Sequence, residues 1–222
     1  MGKNIFTDLP PEVYIKFTDA TIDIIQKILS PVTSITNGLG RYIIQKFENS
    51  VNIQKALYCY TLQIAFEKAK NKALKYGILL KKPVHEKSFL ISLDEASMEF
   101  NQDLHNKWVN LISDQLVNEN FHPNYVNILK ALSPKEAKIL ELLRNLDDVG
   151  PNGGGYMVYN DDAFKYWLYH NDDTELKEWD YSNILLISQK LADVTGPEKN
   201  FNESVTMMYK TKFGNDFLDI VK

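Results

Sequence analysis

Along most of this chain the apolar residues recur every three or four positions, the period of a helix with one face in a core. Val13, Phe17, Ala20, Ile24 and Ile28 follow Pro10-Pro11-Glu12 at that spacing, and Ser30-Pro31 stops them. Proline in a first turn with an acid beside it suits a helix entrance. Gly38-Leu39-Gly40 reads as a kink or corner, after which a helical pattern runs from Arg41 to Tyr76 with one interruption. Between Leu57 and Phe66 only Thr61 and Gln63 are polar. A helix apolar round most of its circumference is either covered on several sides or pairs with a second copy of the chain. No heptad persists, so a coiled coil is disfavoured.

Lys81-Lys82-Pro83 divides a helical, basic N-terminal region, 1–82, from a second region, 83–222. Phe89, Leu93 and Ala96 mark one helix, and Leu104, Trp108, Leu111, Ile112 and Leu116 the stripe of another. His122-Pro123-Asn124 opens a short helix through Tyr125, Ile128 and Leu129. Ser133-Pro134-Lys135-Glu136 has the form of a capping box: a serine cap, proline at the first helical position, and a glutamate that can reach back to the cap amide. Beyond Asp147 the texture changes. Gly150-Pro151-Asn152-Gly153-Gly154-Gly155 is a loop by composition, and Asn160-Asp161-Asp162 reads as the cap of a helix bearing Phe164, Trp167 and Leu168. A helix is expected over Tyr181 to Asp193. Ser204 to Tyr209 reads as a strand paired with one near Val194, and Phe213-Gly214 leads into a last helix with Phe217, Leu218 and Val221. The fold expected is mainly α, with a winged-helix-like C-terminal part that contains a small β-hairpin.

The 222 residues are 44% hydrophobic and 24% charged, a composition that can build a core and excludes a disordered or collagen-like chain. A single cysteine, Cys59, excludes an intrachain disulfide framework. The start of the chain lacks an apolar run of signal-peptide type, and no aliphatic stretch approaches the ~20 residues of a membrane span. A cytoplasmic protein is expected. The 23 lysines against Arg41 and Arg144, with abundant Asn and Ile, suit an AT-rich, bacterial genome.

Net charge is -4 but unevenly spread. Residues 1–82 carry 12 basic and 6 acidic groups, whereas 83–150 carry 6 and 11, and 151–222 carry 7 and 12. The basic excess gathers in Lys68, Lys70, Lys72, Lys75, Lys81 and Lys82. Such a run can face nucleic acid, anionic lipid or an acidic partner; the reading preferred, since the run lacks arginine and has only Phe66 and Tyr76 nearby, is the solvated end of a helix whose C-terminal dipole favours cations, with Gly77 as the stop.

Several pieces in the span from Lys82 to Leu146 resemble the abortive infection alpha family. They are Lys82-Pro83, Leu93-Asp94-Glu95-Ala96-Ser97, Leu104 through Trp108 to Leu111, His122-Pro123-Asn124-Tyr125-Val126, and Leu132-Ser133-Pro134-Lys135-Glu136-Ala137-Lys138-Ile139-Leu140. Thr211-Lys212-Phe213-Gly214 with Phe217 is similar to the family's Thr-x-Phe-Gly-x-x-Phe ending. The Gly-rich loop and Asn160 to Asp180 fit no part of that pattern, and their role stays open. The resemblance implies a part in halting phage propagation, often at the expense of the infected cell. It carries no catalytic residue onto this chain.

The residues themselves offer no reaction centre. His85, His105, His122 and His170 form no i, i+4 pair and no HExxH, so no helical zinc site is read. Asp103 and His105 are taken as a solvent-exposed pair, and His122 as part of a helix entrance. The glycine loop lacks the Gly-Lys-Ser/Thr ending that holds a triphosphate, and no Gly-x-Ser-x-Gly elbow is present. Neither arginine has a histidine four to six residues downstream, the arrangement of one group of defence ribonucleases. Asp94, Glu95, Glu99 and Asp103 are read as a solvated face rather than a metal cluster, and Cys59, in the most apolar segment, as a structural thiol. A wing-like order invites a DNA-reading role, but its third helix carries Lys190 alone in an acidic segment, which repels a polyanion. The function expected is therefore a non-enzymatic phage-defence protein acting through protein contacts. No catalytic residue, metal or cofactor is assigned; the protein partner is unknown, and self-association through Leu57 to Phe66 is open. The alternatives are a nucleic-acid-binding module using the Lys68–Lys82 patch, and a cryptic nuclease.

Overall fold

The computed structural model describes residues 22–33, 37–145, 156–160, 166–169, 180–194 and 205–222. The chain divides into two compact units, residues 1–131 with Val221 and Lys222, and residues 132–220. Among the described residues helix dominates, as the spacing of the apolar positions predicts.

The first unit holds helices α1 (Ile22–Leu29), α2 (Gly38–Asn49), α3 (Asn52–Tyr76), α4 (Glu86–Ala96), α5 (Gln102–Gln115) and α6 (Asn124–Ala131). Helix α3 is central, packing against α1, α2, α4 and α5. Its apolar circumference is thereby explained: Leu57, Tyr58, Cys59, Thr61, Leu62, Ala65 and Phe66 are all buried inside the unit. Phe89 and Leu93 from α4, Trp108, Leu111 and Ile112 from α5, and Ile128 and Leu129 from α6 complete the core. The interruption between α2 and α3 falls at Ser50 and Val51, both extended. Gly38-Leu39-Gly40 is the first turn of α2 rather than a corner. The Asn37 side chain accepts from the Gly40 amide at 3.0 Å, and that cap starts the helix where glycine alone would discourage one. The Pro10 to Thr21 part of the first expected helix lies outside the described residues. Lys81-Lys82-Pro83 links α3 to α4, and the Lys81 amide donates to the Leu116 carbonyl at 2.9 Å.

The second unit contains α7 (Pro134–Arg144), β1 (Tyr156–Asn160), β2 (Tyr166–Tyr169), α8 (Asp180–Ser188), β3 (Ala192–Val194), β4 (Val205–Lys210) and most of α9 (Lys212–Val221). The expected pair β3–β4 forms, antiparallel, with Ala192 opposite Lys210. Strands β1 and β2 extend it into a four-stranded antiparallel sheet of order β2-β1-β4-β3. Trp167 and Leu168 therefore lie in a strand, with Trp167 opposite Tyr159, and not in a helix. Four residues are too few for spacing to tell the two apart, and the aromatic run Tyr166-Trp167-Leu168-Tyr169 suits a pleated surface. Phe164 lies outside the described residues. Helix α8 also ends earlier than its pattern suggests: Lys190 takes a left-handed conformation (φ 62°), and Ala192 and Asp193 enter the sheet.

The capping box at Ser133 is present, with the Ser133 amide donating to Glu136 Oε2 at 2.7 Å. It is more than a cap. Glu136 is buried, and the Ser182 hydroxyl of α8 donates to its Oε1 at 2.5 Å, so one carboxylate joins α7 to α8. Burial pushes that carboxyl up, but the bonds from Ser133 and Ser182 outweigh it and hold the group below its usual range.

The ending Thr211-Lys212-Phe213-Gly214 has a similar local cause. Thr211 Oγ1 accepts from the Gly214 amide at 2.9 Å and donates to the Lys190 carbonyl at 2.5 Å, which ties the start of α9 to the end of α8. A Cβ at position 214 would sit 1.9 Å from the Leu191 carbonyl oxygen, so only glycine permits this approach. Phe217, one turn on, is fully buried.

Candidate interaction surface

The lysine run occupies the last turns of α3 and the link to α4. Helix α3 ends at Gly77 (φ 65°, ψ 30°), with the Ile78 amide bonded to the Ala73 carbonyl at 3.0 Å and Gly77 to Leu74 at 3.4 Å. That is a Schellman closure, which needs the left-handed glycine. The helix end thus lies at Gly77, the stop that composition alone suggests.

The structure does not bring the six lysines together as free cations. Lys68 is half-buried, and its Nζ donates to Asn110 Oδ1 on α5 at 2.6 Å. Burial, with Lys72 nearby, pulls its pKa down. Lys72 pairs with Asp114 at 3.4 Å, Lys81 with Glu119, and Lys82 with Glu86. Lys75 extends over the Tyr76 ring, 5.3 Å from its centroid, and Lys70 is exposed. Asp114 of α5 and Glu119 just beyond it thus lie beside Lys72 and Lys81, a proximity that no count of charge by segment reveals.

The same segment carries a second feature, which the sequence reading passes over. Leu74, Tyr76, Ile78, Leu79 and Val84 are all exposed, Leu74 by 82% and Leu79 by 79%. Large apolar side chains exposed close together along one short stretch mark a contact surface more often than scattered ones do. The signal is legible in the chain: Ile78-Leu79-Leu80 comes after a helix stop and belongs to no periodic face.

Further back along α3, a buried polar row lies between α3 and α5. Thr61 Oγ1 meets His105 Nε2 at 2.9 Å, and the Tyr60 ring stacks on the imidazole at 5.9 Å between centroids. His105 is fully buried, which corrects its reading as half of an exposed pair with Asp103. Helix α5 turns successive residues through about 100°, so Asp103 faces out while His105 faces α3. Burial, with Lys68 adding to it, pulls the imidazole pKa down to about 4. It is a neutral imidazole built into a helix interface, with Nδ1 lacking a partner among the described residues.

The other groups singled out by sequence are dispersed. Asp94 pairs with Lys46 at 2.9 Å, Glu95 with Lys130 at 2.5 Å, and Glu99 accepts from the Asn101 amide at 2.8 Å. Among the described residues no three His, Cys, Asp or Glu side chains gather as metal ligands. His122 Nδ1 accepts from the Asn124 amide at 3.2 Å, at the helix entrance expected for it. Cys59 is buried, and burial pushes its thiol up to about 12. His170 lies outside the described residues.

The family model described as abortive infection alpha matches residues 63–206, about two thirds of the chain. The chain belongs to the abortive infection alpha family. Membership associates it with phage defence by abortive infection. The matched span includes the lysine run, the Ser133 capping box and strands β1 to β3. The match runs across the Gly-rich loop and Asn160 to Asp180, while the Thr211–Phe217 ending lies beyond it. No curated protein and no solved structure matches the chain. Among its described residues no helix is long and apolar enough to cross a membrane.

Proposed function

We propose that this abortive infection protein works without a reaction of its own, by docking another protein on the segment from Leu74 to Val84. The observation that carries the reading is the exposure of five large apolar residues in that short span, at the end of a helix whose earlier apolar residues from Leu57 to Phe66 are largely buried in its unit. Burying such residues against a partner removes apolar area from water at roughly 25 cal/mol per Å². The lysines around them favour this reading over nucleic-acid binding. Lys72, Lys81 and Lys82 already meet carboxylates, and a polyanion would have to displace those acids while being repelled by them. The C-terminal part supports the same view, since α8 has no lysine or arginine.

The test is protection of a phage-sensitive bacterium expressing the full chain. Leu74→Glu with Leu79→Glu is expected to abolish protection while leaving the thermal midpoint unchanged, because both side chains are exposed. Lys70→Glu with Lys75→Glu should weaken it less. Full protection by the leucine variant would refute the docking surface. Loss confined to the lysine variant, together with DNA or RNA binding that falls steeply with salt, would favour the nucleic-acid alternative.

A further inference from the structure

Helix α3 carries an exposed apolar patch at each of its ends. Its 25 residues span about 37 Å, and the neighbouring helices fix which residues share an end. Helix α5 runs alongside in the same direction: His105 meets Thr61 at 2.9 Å, Asn110 meets Lys68 at 2.6 Å, and Asp114 meets Lys72 at 3.4 Å. Helix α4 runs the other way, so its last turn returns to where α3 starts, and Asp94 pairs there with Lys46 of α2 at 2.9 Å. The ends of α2, α3 and α4 converge around a cavity of about 250 Å³ lined by Lys46, Ser50, Gln54, Tyr58, Asp94 and Met98. Met98 and Ser50 share its wall, which places Met98 beside Val51. Val51, Met98 and Phe100 are exposed by 68%, 51% and 46%. The Leu74–Val84 surface lies at the opposite end of α3.

The two ends differ in charge. Beside Leu74–Val84, acids match Lys72, Lys81 and Lys82, but Lys70 and Lys75 meet no carboxylate among the described residues. Lys70 precedes Leu74 by one turn, on the same face of α3. Beside Met98 and Phe100 the balance reverses. Lys46 and Lys130 match Asp94 and Glu95, whereas Glu48, Glu99 and Asp103 meet no cation among the described residues. A further cation at this end, Lys55, lies over the Phe47 ring. Burial pushes the Glu99 carboxyl up, so a cation brought against it is favoured.

We infer that the protein docked on the Leu74–Val84 surface is a second copy of this chain, which seats its Val51, Met98 and Phe100 end there. The inference rests on the reading of Leu74–Val84 as a docking surface and names its occupant. Charge decides between the two ways in which copies can meet. Two Leu74–Val84 surfaces face to face set Lys70 and Lys75 against their own duplicates. Head to tail, the same lysines meet Glu48, Glu99 and Asp103. The stretch from Leu57 to Phe66 is largely buried and offers no comparable face. A head-to-tail contact leaves one face of each kind unfilled, so copies add into a ring or a filament rather than closing as a pair.

The experiment is sedimentation velocity of the purified full chain across a concentration series, beside Leu79→Glu and Met98→Glu. The wild type should form species larger than a pair as concentration rises. Each variant alone should stay monomeric with an unchanged thermal midpoint, since both side chains are exposed. Mixed, the two variants should form a one-to-one pair and nothing larger, because each keeps the face that the other has lost. Lys70→Glu with Lys75→Glu should weaken assembly about fivefold to tenfold. A wild type that is monomeric at every concentration would overturn the inference. So would assembly by Met98→Glu alone, failure of the mixed variants to pair, or assembly indifferent to the lysine substitutions. The underlying reading is tested separately: if the wild type is monomeric and Leu74→Glu with Leu79→Glu still abolishes phage protection, the docking surface stands and only the second copy is removed from it. Assembly as expected with full protection by that variant would keep the self-contact and remove its part in defence.

Discussion

Acidification should weaken this fold through one imidazole. The unfolded His105 takes up a proton near pH 6.5, whereas in the fold burial between α3 and α5 delays that to about pH 4. Between those values the unfolded chain holds more protons than the folded one, so stability falls as pH falls. Above 6.5 both states are neutral and the contribution is flat; below about 4 both are charged and it is flat again. One pH unit is worth about 1.4 kcal/mol, so the whole interval costs about 3 kcal/mol, a large part of the stability of an ordinary domain. The structural cause is specific. Nε2 faces Thr61, Nδ1 has no acceptor among the described residues, and the nearby charge is the cation Lys68, so a second ring proton finds no carboxylate to receive it. The assay is urea unfolding of wild type and His105→Gln from pH 7 to pH 4. Carboxylates such as Glu136 also lose their bonds on acidification, but they do so in both proteins and cancel in the difference. Wild type should lose about 3 kcal/mol more than the variant over this range. Equal losses would refute the reasoning, because they would mean that His105 charges as readily in the fold as out of it.

Gly214→Ala should destabilise the second unit by about 1–3 kcal/mol, read as a lower thermal midpoint, since its methyl would meet the Leu191 carbonyl oxygen and backbone cannot yield as a side-chain tip can. Ser182→Ala should cost about 1–3 kcal/mol in urea unfolding, because it removes a donor from the buried Glu136 carboxylate. A double-mutant cycle with Glu136→Gln should show the two effects to be coupled. Cys59 should resist a thiol reagent in native buffer at pH 8 and react on unfolding; rapid native labelling would contradict its burial and its raised pKa.

Amphipathic spacing, caps and stops made the helices legible. Leu104, Trp108 and Leu111 on one stripe, the Ser133 capping box and the Gly77 stop are local facts of chain chemistry, and each appears where it reads. The strand from Val205 and its partner at Val194 were legible for the same reason. The four-residue β2 was not, because so short an aromatic run satisfies either period until Tyr159 lies opposite Trp167. Family membership was readable too, since it rests on order and spacing along the chain.

What the tertiary structure decided is which side chains meet. Asp114 and Glu119 reach Lys72 and Lys81 only once α5 and the residues after it fold back on α3, so these lysines read as free in sequence and are paired in space, whereas Lys82 and Glu86 are four positions apart and legible as a local pair. His105 passes as a surface residue until Thr61, 44 positions earlier, closes on it. Likewise the cavity at Tyr58 exists only where the ends of three helices converge. The reason is range: spacing and capping act within a turn or two and are written in neighbouring residues, whereas burial, ion pairing and cavities join positions that sequence leaves far apart.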